Sequence, residues 1–74
     1  MEKEIREILD YYLQEFHPKT KVVNYSNNED LTKIFPFSSF EWMVIIYELE
    51  NKLNLHFTKD FFDKRTLNAI VQSN

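Results

Sequence analysis

A small all-α bundle is the fold class this sequence predicts, and three observations predict it. Apolar residues recur at the helical period over residues 2–16 and again over residues 38–53. The stretch between them is punctuated by Pro18 and Pro36. Its short β-branched pair, Val22-Val23, has no second run to pair with, so no sheet is expected.

In residues 2–16, Ile5, Ile8, Leu9, Tyr12, Leu13 and Phe16 hold the apolar period. Glu2, Lys3, Glu4, Glu7, Asp10 and Gln14 stay polar. Pro18 disfavours helical geometry at His17 and ends the element. A long connection follows, roughly residues 17–37. Loops of that length are functional or tied down by their own side chains. Val22, Val23, Tyr25, Leu31, Ile34 and Phe35 are its candidate anchors, and Asn28-Glu29-Asp30 can start one helical turn.

The start of the second long helix is the most informative stretch. Ser38 has Glu41 three residues on, the spacing of a capping box, in which each residue bonds the other's amide. Phe37 and Trp42 flank it where a hydrophobic staple belongs. Ser39 is left at the first helical position with no capping duty. A hydroxyl there, at the positive end of a helix and framed by aromatic residues, suits attachment of a phosphate-linked group. After Leu53, Asn54 takes the left-handed position that glycine usually fills, because the chain has no glycine. Leu55 and Phe57 then return to the core. Thr58 or Asp60 caps a turn carrying Phe61 and Phe62, and Asp63 or Thr66 starts a last helix with Leu67, Ile70 and Val71. The expectation is a single domain over residues 1–74, a three- to four-helix bundle with helices near 2–16, 38–53 and 66–73. Its core sets Trp42, Ile46, Leu49 and Leu53 against Ile8, Leu9, Tyr12 and Phe16.

The 38–53 helix carries two apolar stripes. Trp42, Ile45, Ile46, Leu49 and Leu53 form one, which is enough to dock it on a small core. Phe40, Met43, Val44 and Tyr47 form a second, nearly opposite. Either more protein covers that second stripe or a partner does. Beside Ser39, a partner surface is the reading taken here.

Composition removes several function classes. A net charge of −3 with scattered basic residues argues against a nucleic-acid binder. Without cysteine there is no thiolate metal site and no cysteine nucleophile. Without glycine, neither the P-loop nor the dinucleotide fingerprint can form. The Met1-Glu2-Lys3-Glu4 opening has no apolar signal core, and no run is long enough to span a bilayer, so a cytoplasmic protein is expected. His17 and His56 are not expected to share a site, and no catalytic constellation is visible.

With these elements placed, the chain resembles the acyl and peptidyl carrier proteins. The resemblance rests on Phe37-Ser38-Ser39-Phe40-Glu41-Trp42, on the run from Ile45 through Leu49 and Leu53 to Phe57, and on Thr66-Leu67-Asn68-Ala69-Ile70-Val71. It covers about half the chain, the first helix and long loop agreeing only in layout. It implies a small helical bundle that is not itself an enzyme. Ser39 would carry a covalent 4′-phosphopantetheine arm derived from coenzyme A, whose thiol holds acyl or aminoacyl groups as thioesters for lipid, polyketide or peptide assembly. The implied partners are a phosphopantetheinyl transferase and acyl- or aminoacyl-transferring enzymes, with Phe40, Met43, Val44 and Tyr47 as the surface they touch. The chain is expected to act as a monomer. Where the family has aspartate before the modified serine, this chain has Ser38, and Val44 stands where the family often has an acid. These departures point to partners that bind an apolar surface. They also keep open an alternative, an unmodified carrier-shaped interaction module.

Overall fold

The computed structural model describes residues 1–22 and 24–73, so the anchoring role expected of Val23 lies outside the described residues. Among the described residues five helices follow one another: α1 (Glu2–Phe16), α2 (Leu31–Ile34), α3 (Ser39–Leu53), α4 (Lys59–Lys64) and α5 (Leu67–Val71). No strand occurs among the described residues. The molecule is a small all-α bundle in which α1 packs against α3 and α5, and α4 against α5.

The core is narrower than the two sequence stripes. Its centre on α1 is Ile5, Leu9 and Leu13, and on α3 it is Ile45 and Leu49. Leu31, Phe35, Phe37, Leu55, Phe61, Leu67, Ala69 and Ile70 close it from the connections and short helices. Ile8, Tyr12 and Phe16 are only partly buried, as are Trp42, Ile46 and Leu53. All six flank the core, although the sequence places each of them in it. The cause is geometric: the packed line runs along one side of each stripe, Ile5, Leu9 and Leu13 on α1 and Ile45 and Leu49 on α3, and the other side lies over the seam. Fully burying one Leu or Ile contributes about 1.5–3 kcal/mol, so these central residues carry most of the docking energy.

Each helix end has a local cause. Ser38 caps α3. Asn54 adopts φ 55°, ψ 48°, and the Leu55 amide reaches back to the Glu50 carbonyl at 3.2 Å. That six-to-one bond with an asparagine in the left-handed region is the expected substitute for a glycine stop. Asp30 caps α2, accepting from the Thr32 amide at 2.9 Å, and Thr66 caps α5, accepting from the Ala69 amide at 3.1 Å. Thr58 occupies the cap position of α4 without a side-chain bond. The last helix is shorter than expected, five residues, with Ser73 folded back so that its hydroxyl donates to the Ala69 carbonyl at 2.9 Å.

The long connection is tied down rather than loose. The Leu31 amide donates to the Arg65 carbonyl at 2.7 Å, and the Asn68 amide to the Asn27 carbonyl at 3.1 Å. Arg65 itself sits at φ 55°, and its guanidinium meets Asp30 at 3.2 Å. Arg6 adds a clasp on the other side, its guanidinium 4.5 Å over the Tyr25 ring and bonded to Asn27. These ties bring residues 31–37 under the start of α3 and fix where Ser38 and Ser39 emerge.

Candidate functional site

The site is the first turn of α3. The Glu41 amide donates to the Ser38 hydroxyl at 3.2 Å, and the Ser38 amide donates to Glu41 Oε1 at 2.9 Å, so both halves of the capping box form. The Phe37 and Trp42 rings meet edge to face with centroids 5.1 Å apart, completing the staple. Phe37 also stacks on Phe35 at 5.3 Å, which roots the cap in the core. Ser38 is thereby committed to structure. Ser39, the next residue and the first of the helix, is exposed.

A contact that sequence reasoning missed joins this turn to α1. His17 Nε2 lies 2.8 Å from Glu41 Oε1, the same oxygen that accepts the Ser38 amide. An ionised carboxylate only accepts, so the imidazole donates through Nε2. The His17 ring also leans on Phe37, with centroids 6.0 Å apart. The Ser38 amide first, and His17 after it, hold the Glu41 carboxyl below its ordinary value. Nothing in the spacing of residues 24 apart announces such a pair. The only signal is a histidine placed just before the proline that ends α1.

The second stripe lies open. Phe40 is 71% exposed, and Met43 and Tyr47 are each 69% exposed. Val44, expected among them, is half-buried, so the open surface is the line Phe40, Met43, Tyr47. Phe62 of α4 is also more than half exposed. Between α3 and α4 an apolar groove of about 240 Å³ runs beside Ser39, floored by Leu31, Trp42, Ile46 and Phe61. Met43 and Phe62 form part of its wall, and Arg65 is the cationic residue lining it. A larger, more polar cleft of about 690 Å³ lies between α1 and α3, lined by Tyr11, Tyr12, Glu48 and Lys52 among others. None of the expected site residues lines that cleft, so the smaller groove is the one joined to Ser39.

Chemically the turn offers one free hydroxyl at a helix N-terminus, with an apolar line and an apolar groove beside it. His56 is exposed and His17 is engaged with Glu41, so the two histidines serve separate places. Among the described residues no group of three or more His, Cys, Asp or Glu could hold a metal ion. No helix there is long and apolar enough to cross a membrane. Compared with protein-family models, curated proteins and solved structures, the chain has no significant match to any of the three.

Proposed function

We propose that this chain is a carrier-type shuttle, with 4′-phosphopantetheine attached at Ser39 and acyl or aminoacyl groups held as thioesters on the arm. The observation that carries the reading is the division of labour between two adjacent serines. Ser38 is consumed by the capping box while Ser39 stands exposed on the first turn of a 15-residue helix. In the attachment step the Ser39 hydroxyl oxygen would bond to the pantetheine-side phosphorus of coenzyme A. The pyrophosphate linkage breaks, adenosine 3′,5′-bisphosphate leaves, and the hydroxyl proton passes to a base of the transferase, which also supplies magnesium. The chain contributes placement, with the catalytic groups belonging to the transferase.

Exposed Phe40, Met43 and Tyr47 support an apolar docking surface for that transferase and for the acyl- or aminoacyl-transferring enzymes downstream. The same exposed line also favours the second reading, an unmodified interaction module, because an apolar surface can bind a partner without any arm. Intact mass after incubation with coenzyme A, magnesium and a broad-specificity transferase separates them. Gain of one arm supports the carrier. No gain with several transferases leaves the module.

A further inference from the structure

We infer that His17 is a positioning residue for Ser39, acting through Glu41 on the first turn of α3. This rests on the reading of Ser39 as the attachment point, and it concerns what holds that serine in place.

A helix end frays because its first amides have no partners within the helix. The capping box satisfies two donors here, but both of its bonds run between residues 38 and 41 and would travel with the turn if it moved as a unit. The His17 bond is different in kind. It reaches 24 residues back to the end of α1 and anchors Glu41 to a second helix of the bundle. Because one oxygen, Oε1, accepts from both the His17 ring and the Ser38 amide, any swing of the carboxylate off the cap also breaks the histidine bond. The His17 and Glu41 side chains are 30% and 20% exposed, so water competes for this bond less than on an open surface. The Phe37 ring, leaning on His17 and meeting Trp42 edge to face, holds the imidazole from behind. Among the described residues Glu41 is the one ionic partner of His17. Ser39 follows the cap directly, so its hydroxyl inherits the rigidity of this clasp. A transferase that must align a serine oxygen with a phosphorus loses rate when that oxygen wanders.

Two substitutions separate positioning from bulk. His17→Phe keeps a ring against Phe37 and removes the donor, whereas His17→Gln keeps an N–H donor and removes the ring. Rates of arm transfer from coenzyme A by a broad-specificity transferase are compared for the wild type and both variants. The expected result is kcat/KM about fivefold lower for His17→Phe, the factor one ordinary hydrogen bond represents, with most of the rate kept by His17→Gln. A wild-type rate for His17→Phe overturns the inference, and so does an equal loss in both variants, which marks a packing role. If the wild type takes up no arm, the reading of Ser39 fails by itself. Amide hydrogen exchange then decides the inference: faster exchange at Ser38 and Glu41 in His17→Phe sustains the clasp, and unchanged exchange overturns it.

Discussion

Glu41 Oε1 sits 2.8 Å from His17 Nε2 and 2.9 Å from the Ser38 amide nitrogen, so a single carboxylate oxygen joins the end of α1 to the cap of α3. The residue after that cap is Ser39, and the geometry of the candidate site depends on this junction.

The junction makes stability depend on acid. The Glu41 carboxyl is held below its ordinary value by the Ser38 amide and then His17, and that of Asp30 chiefly by the Thr32 hydroxyl. A carboxylate whose folded pKa is depressed binds fewer protons folded than unfolded, so it stabilises the fold at higher pH. That contribution is complete above the unfolded carboxylate range, about pH 4–5, and is lost as pH falls through the folded pKa. Urea midpoints should therefore fall for the wild type on acidification below about pH 5, and fall less steeply for Glu41→Gln. Parallel acid limbs for the two proteins would exclude Glu41 as a contributor.

The two serines should separate cleanly in stability. Ser38→Ala removes the acceptor for the Glu41 amide and should cost about 0.5–2 kcal/mol. Ser39→Ala touches no such bond and should stay within about 0.5 kcal/mol of wild type. Chemical denaturation of both variants checks this, and equal losses would mean that Ser39 shares the capping role.

The exposed line should be dispensable for folding. Tyr47→Ala and Met43→Ala remove side chains that are each 69% exposed, so melting temperatures should hardly move while docking of a transferase weakens. Leu49→Ala, at 1% exposure, is the contrast and should cost about 2–5 kcal/mol. A large drop in Tm for Tyr47→Ala would show that the line is covered in solution and remove it as a docking surface.

Much of this architecture was legible in the sequence because its causes are local. The helical period gave α1 and α3, the three-residue spacing of Ser38 and Glu41 gave the capping box, and the lack of glycine pointed to Asn54 as the left-handed stop. What could not be read is what depends on three-dimensional adjacency. Ile45, at one edge of its stripe, is buried with Leu49 because the bundle packs along that edge, an approach angle that spacing does not encode. Val44 is half-buried for the same reason, although its stripe faces outward. The His17–Glu41 bond and the Arg65–Asp30 pair join residues far apart in the chain, and each depends on how the connection folds back.

Asn54 gives a test of that local logic. At φ 55° its backbone tolerates asparagine better than residues without a short polar side chain. Asn54→Ala should cost roughly 1 kcal/mol, whereas Asn54→Gly should be neutral or slightly stabilising. Thermal melts of the pair check it, and an equal loss in both variants would mean that the asparagine side chain, rather than the backbone, ends α3.

The central claim is that Ser39, and not its neighbour, accepts the arm. Its most direct test is mass spectrometry of three proteins, wild type, Ser38→Ala and Ser39→Ala, each incubated with coenzyme A, magnesium and a broad-specificity transferase. One phosphopantetheine should appear on the wild type and on Ser38→Ala, and none on Ser39→Ala. An arm that persists on Ser39→Ala, or no arm on the wild type with several transferases, would contradict the account.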